Sequence, residues 1–476
     1  MGIKALLPFL STIIHKTPLA NFRNKRVAID GYAILHRVAT RNAKRLLLQH
    51  DTAFLVQGVM EFVTFFKTQG IIPLFVFDGA TLPAKMKTEE ARQLKRQQAL
   101  ENAKQLDKEG KDTMALSFYK KAIDITPKMA FDVINELRRS NVEYVVAPYE
   151  ADAELAYLSR TGYVDLVVCE DSDLIPYGST AILFKMNVGE GVADLYKAAD
   201  LPLSPFGSNV SLFLVQIVCV VAGCDYFEGI EGIGMKKGLE MLKKCKTEKD
   251  AVFEIKKKKK MSGDEALQVQ QKIREALFTF NHQYVYDIED KLIVNLTEIE
   301  ASERTLFDDT TIEKVLGKKF SNDIGKKIAI GSIDPNTLEI FGDIKSTGNT
   351  PKKATVETQT RNIAMLLQRV KEKQNEEVDE KGCTNEEENV NEKVEANVLD
   401  GDFLVEEEKK DDTYKSMLNS VLIDGDPFEN VDEFVLENEE LINTRKREPT
   451  DPVTTSNFIG NEKLSIDSFQ PLRKYD

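Results

Sequence analysis

The sequence predicts an α/β fold, a mainly parallel sheet flanked by helices. Three runs carry the prediction: KRVAID (25–30), IIPLFVFD (71–78) and VDLVVCEDSD (164–173) are rich in β-branched and aliphatic residues, and each reaches an Asp where it stops. Helix-forming stretches separate them, so the strands are expected to run parallel and buried. In open α/β sheets ligands bind outside the carboxyl ends of the strands. That is where Asp30, Asp78, Asp171 and Asp173 fall, and Glu150, Asp152 and Asp225 sit where a hydrophobic run ends or a helix should begin.

In chain order, residues 1–78 read as a short helix, a strand to Asp30, helices with a basic stretch at 41–45, and a strand to Asp78. Residues 84–125 are strongly helix-prone, with almost no apolar stripe, as in a helix that bridges solvent or clamps a ligand. Lys85, Arg92 and Arg96 recur at i, i+7 and i+11 on one face. A solvated charged helix would look the same, and its place between two acid-tipped strands favours an active-site cover. The alternation resumes from 129 to 185. Pro148 makes a helix start near Glu150 plausible, which lets Glu150 and Asp152 face one place. Asp171 and Asp173, two apart in an extended segment, are expected to point the same way.

The longest apolar stretch, LFLVQIVCVVA (212–222), is too short for a bilayer and reads as a buried helix. Gly229 to Gly234, followed by Lys236 and Lys237, forms a glycine-rich turn whose N–H groups could approach a phosphate. Lys256–Lys260 reads as a solvated basic loop, compatible with duplex-backbone contact. IAIGSIDPNTLEIFGDI (328–344) is expected to pack back across the core.

The charge is uneven. Residues 1–350 carry 47 basic and 47 acidic residues, and by subtraction the rest carry 17 and 31, the whole net charge of −14. An acidic balance in the tail says nothing against nucleic-acid binding by the core. Five cysteines without a CxxC pair exclude a zinc site or disulfide frame and indicate an intracellular protein. Oxygen ligands alone select Mg²⁺ or Mn²⁺. Seven acids in one place would repel each other without such ions, and a two-ion site suits phosphodiester hydrolysis.

With these residues in view, MGIKALLPFL, VFDGATLPAK, APYEADAELAYL with VVCEDSDLIPYG, and GCDYFEGIEGIG resemble the successive blocks of the structure-specific 5′-nuclease family. That family includes the flap endonucleases, the excision-repair nuclease and eukaryotic exonuclease 1. The resemblance covers about residues 1–345, and AIDGYAILH, TLPAK and IAIGSIDPNTLE look most like the exonuclease 1 branch. It implies a PIN-like (resolvase-like) fold with a helical arch, a helix-two-turn-helix and an acidic C-terminal tail.

The implied divisions are an N-terminal nuclease region (1–99), the arch (84–128), an internal nuclease region (129–217), the helix-two-turn-helix with core helices (218–345), and a disordered partner-binding tail (346–476). The implied roles are metal binding by the seven acids and phosphate steering by Lys85 and Arg92. Tyr32, His36, Arg96, the amino end at Gly2, and Gly232, Gly234, Lys236 and Lys237 of the turn would contact DNA. Relatives bind K⁺ at that turn through backbone carbonyls and a serine; here Ala222 and Glu228 stand where a hydroxyl is common.

The expected activity is a Mg²⁺-dependent 5′-to-3′ exonuclease on duplex DNA with 5′-flap cleavage, in nuclear mismatch repair, end resection and recombination. The alternatives are a replicative flap endonuclease and a non-catalytic DNA-binding scaffold. Expected partners are duplex DNA with a 5′ end, nick, gap or flap, mismatch-repair proteins, and a sliding clamp through KLSIDSFQ (463–470); no membrane is expected. Arg445–Arg447 is a short nuclear-import candidate.

Overall fold

The computed structural model describes residues 2–341; the tail expected at 346–476, with Arg445–Arg447 and KLSIDSFQ (463–470), lies outside them. Seven strands form one sheet: β1 (His15–Pro18), β2 (Arg26–Asp30), β3 (Ile72–Phe77), β4 (Glu143–Val146), β5 (Leu166–Val168), β6 (Ala181–Asn187) and β7 (Val192–Lys197), in the order β1-β7-β6-β5-β2-β3-β4. The five strands from β6 to β4 pair parallel, and β7 and β1 add an antiparallel edge. The expected α/β architecture is present, as is the PIN-like arrangement of a mainly parallel sheet between helices. Val27, Ala28, Ile29, Phe75, Val76 and Val167 are all fully or nearly fully buried, which is why these runs lack polar alternation.

Helices fill the connections: α1 (Leu6–Phe9), α2 (Gly31–Arg41), α3 (Ala43–Gln49), α4 (Ala53–Thr68), α5 (Met86–Lys108), α6 (Asp112–Lys121), α7 (Pro127–Arg139) and α8 (Ala151–Arg160). α9 (Leu212–Ala222), α10 (Met235–Leu242), α11 (Glu248–Lys259) and α12 (Gly263–His282) follow, then the hairpin β8 (Tyr284–Asp287) and β9 (Leu292–Asn295). α13 (Ala301–Arg304), α14 (Asp309–Leu316) and α15 (Asn322–Ala329) complete the described fold. α9 is buried along nearly its whole length, as its continuous apolar run requires. Among the described residues, no helix is long and apolar enough to cross a membrane.

Three local expectations are corrected. The third strand is only Leu166–Val168, and Asp171 caps a short 3-10 turn (Ser172–Leu174) that holds Asp173, because Asp side chains favour caps over continued strand. Lys256–Lys259 is the last turn of α11, with Lys260 in the left-handed conformation beyond it; cations are favoured at a helix carboxyl end. Finally, α5 does bury a narrow strip, Ala99 and Ala103, against Ala115 and Tyr119 of α6. Small residues allow that close approach without an obvious apolar stripe.

The ends of β3 and β4 are cinched together: Gly79 N–H donates to Tyr149 O at 2.5 Å and Ala80 N–H to Pro148 O at 3.0 Å. The segment after α15 folds back as expected, with an Ile333–Ile340 bridge and Thr81 N–H donating to Asn336 Oδ1 at 2.8 Å.

A Cβ at Gly79 would stand 1.9 Å from Ala147 O. Gly79→Ala is therefore expected to cost about 3 kcal/mol of stability, read from the urea midpoint. Fully buried Glu154 accepts from Tyr286 N–H, while its second oxygen has no partner. Burial pushes its carboxyl up to about 8, against 4.5 unfolded. Between those values the folded state keeps a proton the unfolded state has lost, so this group's contribution to stability falls as pH rises. Glu154→Gln should gain on the wild type by on the order of 1 kcal/mol per pH unit across pH 5 to 7, measured by denaturant unfolding.

Candidate active site

Strand order gathers the acids. β5, β2, β3 and β4 lie side by side, so their carboxyl ends deliver Asp171 and Asp173, Asp30, Asp78, and Glu150 with Asp152 to one edge. Asp225 joins them from the loop after α9, where Gly223 (φ 111°) ends the helix. Three of the acids accept backbone N–H groups. Asp30 caps α2 and accepts from Ala33 N–H at 3.0 Å, Asp78 accepts from Ala151 N–H at 2.8 Å, and Asp171 accepts from Asp173 N–H at 3.1 Å. Glu150 is the N-cap residue of α8 with Asp152 in its first turn, as the proline upstream suggested.

Burial, then like charge, governs their protonation. Burial and Asp78 raise the Asp30 carboxyl to about 7. Burial and the Asp171 charge push Asp152 and Asp173 well above the carboxylate range. Asp78 keeps solvent access at the rim; surrounding protein raises it too, and that access tempers the rise.

Lys85, in the 3-10 turn before α5, donates to Glu150 Oε1 at 2.5 Å and lies 3.1 Å from Asp225 Oδ2. Arg92 on α5 donates to both oxygens of Asp225 at 2.8 and 2.9 Å. Burial works against the Lys85 charge, but Glu150, Asp225 and Asp152 lift it well above the ordinary lysine range. At Asp225 burial is outweighed by the same two cations, which hold the carboxyl low. Arg96, expected on the same face, pairs instead with Glu89 at 2.6 Å and Asp124 at 3.3 Å.

Among the described residues no three acids close around a common point as a metal-binding group, because Glu150 and Asp225 are turned onto Lys85 and Arg92. The donor set nevertheless fits a hard cation. It is all oxygen, the charges interact with one another, and buried Asp173 Oδ1 has no partner. A divalent ion would relieve both the orphaned oxygen and the like-charge crowding.

Tyr32, packed edge-to-face on Phe77, lines a small, half-open cleft with Asp78, Phe131, Ile333 and Phe341. His36 stands one turn further along α2, where burial and then the Arg96 charge push its imidazole below the usual histidine range. Gly232 (φ 72°), Gly234, Lys236 and Lys237 are exposed at the start of α10, and a Cβ on Gly232 would lie 3.7 Å from Lys259 Nζ. The glycine turn and the lysine run thus meet.

Gly2 (φ 101°) abuts Asp171, where any Cβ would come within 2.1 Å of Oδ1. Sequence reasoning missed Ser172 and took Cys169 only as one of the reduced cysteines, not as a neighbour of the acids. Ser172 Oγ accepts from Ile3 N–H at 2.9 Å, and Cys169 Sγ accepts from Asp171 N–H at 3.2 Å while facing Asp30 at 3.6 Å. Their place inside VVCEDSD was the available signal.

This edge, seven acids beside two charged side chains from an overlying helix, defines a PIN-like α/β fold with a carboxylate centre suited to divalent cations. Family models match at two places, the XPG N-terminal domain over residues 1–99 and the XPG I-region over residues 141–225. The chain belongs to the XPG family. Exonuclease 1 of Arabidopsis thaliana is 36% identical over 355 residues, 74% of this chain and 47% of its own length. Exodeoxyribonuclease 1 of Schizosaccharomyces pombe is 32% identical over 349 residues, 72% and 59% respectively. The chain spans about half the length of these relatives. Among solved structures, the catalytic core of Rad2 in complex with DNA substrate is similar with 18% identity and a TM-score of 0.44, covering 69% of this chain and 99% of that one.

Ser172→Ala removes the acceptor of the Ile3 amide. Hydrogen exchange at Ile3 is expected to quicken roughly fivefold to tenfold, the worth of one hydrogen bond, with exchange in the sheet unchanged, as followed by NMR.

Proposed function

We propose that the chain is a Mg²⁺-dependent 5′-to-3′ exonuclease of duplex DNA that also cleaves 5′ flaps. One observation carries the reading: Lys85 and Arg92, arriving from the base of α5, pair with Glu150 and Asp225 at the sheet edge where the other carboxylates gather. The names of the relatives support it, Exonuclease 1 for several and DNA damage-inducible protein DIN7 for one from Saccharomyces cerevisiae. Repair is the expected setting, including mismatch repair, resection and recombination, with the nucleus as location. Mismatch-repair proteins and a sliding clamp are proposed partners.

Asp30, Asp78, Glu150, Asp152, Asp171, Asp173 and Asp225 would hold the metal. Bound Mg²⁺, or Mn²⁺ in its place, supplies Lewis acidity and a water nucleophile of lowered pKa. The chain's own groups do the rest. Lys85 and Arg92 exchange their carboxylate partners for phosphoryl oxygens, where positive charge favours the transition state. Tyr32, His36 and Arg96 border the path of the strand, Gly2 closes the site beside Asp171, and the α10 turn with Lys236 and Lys237 holds duplex phosphates. The turn offers little to K⁺: Ala222 has no hydroxyl, Glu228 pairs with Lys272 at 2.9 Å, and Gly232 O accepts from Lys237 Nζ at 3.2 Å.

Digestion of blunt, nicked and flapped duplexes labelled at either end tests this. Mononucleotide release from 5′ ends in Mg²⁺ is expected. Cleavage confined to flaps would favour a flap endonuclease, and no cleavage with any divalent ion would favour a scaffold. Lys85→Ala and Arg92→Ala should each slow single-turnover cleavage by about 100-fold, as loss of one transition-state donor does, with DNA affinity within a few-fold. Replacing Lys256–Lys259 by serine should instead weaken binding and flatten its salt dependence by about one per lost phosphate contact, read by fluorescence anisotropy.

A further inference from the structure

Glu150 divides its two oxygens between two environments. Oε1 faces Lys85 and the acid cluster, whereas Oε2 turns away and accepts from Tyr226 O–H at 2.5 Å and from Gln283 Nε2 at 2.8 Å. Behind them, Tyr177 O–H bonds Tyr226 O–H, and Gln283 Nε2 also reaches Tyr177 O–H.

The proton directions follow from the inventory of donors. The Tyr226 proton is committed to the carboxylate, so Tyr226 oxygen must accept from Tyr177, and the Tyr177 oxygen must accept from Gln283. Gln283 Nε2 has two protons and three acceptors in reach, Glu150 Oε2, the Tyr177 hydroxyl and, at 3.2 Å, the Tyr226 hydroxyl, so the amide turns its nitrogen toward them and its Oε1 away, buried and without a partner. A buried amide that leaves its oxygen unsatisfied costs free energy, and what that orientation gains is a donor on Glu150. Phe280, fully buried, packs edge-on against both tyrosine rings at 5.0 Å, so neither ring can swing away. Tyr226 also adjoins Asp225 in the chain, and Gln283 caps α12.

We infer that Tyr226 and Gln283, oriented by Tyr177, are positioning residues that fix the Glu150 carboxylate for divalent-metal binding. They touch neither DNA nor ion. They keep one oxygen aimed at the cluster and prevent the carboxylate from rotating out of it. This rests on the metal-binding reading given above.

Mn²⁺ binding to the DNA-free protein, measured by calorimetry, tests it without any cleavage. Tyr226→Phe and Gln283→Met should each weaken Mn²⁺ affinity by about 10-fold, the lower end of what loss of an outer-sphere partner costs. Tyr177→Phe should cost about 3-fold alone and less than that when added to Tyr226→Phe or to Gln283→Met, since its effect passes through both side chains. In the cleavage assay the same variants should raise the Mg²⁺ concentration for half-maximal rate more than they lower the rate at saturation. Affinities within twofold of wild type in Tyr177→Phe and whichever of the other two variants unfold at the wild-type midpoint would overturn the inference. Wild-type protein that binds no Mn²⁺ would instead sink the metal reading on which it stands.

Discussion

Crowded negative charge is the constraint on which the rest of this structure depends. Four adjacent parallel strands end on the same edge of the sheet, and the acids that follow them are enclosed by protein and by one another. Burial and mutual repulsion raise several carboxyls far from their ordinary range. Such an arrangement is tolerable only with compensating positive charge. In the described chain that charge comes from Lys85 and Arg92 on Glu150 and Asp225.

This explains the character of α5. A helix of 23 residues with only two buried alanines contributes little to a core, so its retention must be understood through what its first turns present to the acids. α6 braces it along the small-residue strip, and Lys44 ties α3 to Asp107 near its far end. The base is pinned electrostatically and the body stays solvated. That combination suits a segment whose cations must be able to trade carboxylates for phosphates.

A second demand falls on the far side of the site. A carboxylate in such a cluster can lower its energy by rotating away, and donors on its outer oxygen hold Glu150 in place. Those donors come from the loop after α9 and from the end of α12, so the C-terminal helices are joined to the acidic edge by hydrogen bonds as well as by packing. The exposed glycine turn and lysine run occupy another surface of the same helical layer.

The chain by itself determined the parallel strands, the buried α9, the acidic residues at strand ends and helix starts, and the basic helix between them. All are local: composition, periodicity and capping act over a few residues. It misjudged VVCEDSD as extended and the lysine run as loop, because short caps and a helix end compete closely with strand and coil at that range. Tertiary structure alone decided that Lys85 would meet Glu150 across 65 residues and Gln283 would meet it across 133. It also turned Arg96 to Glu89 and Asp124, and set strand order so that the acids converge. Contacts at such separations depend on how the chain crosses the sheet, and no local pattern of residues encodes that crossing.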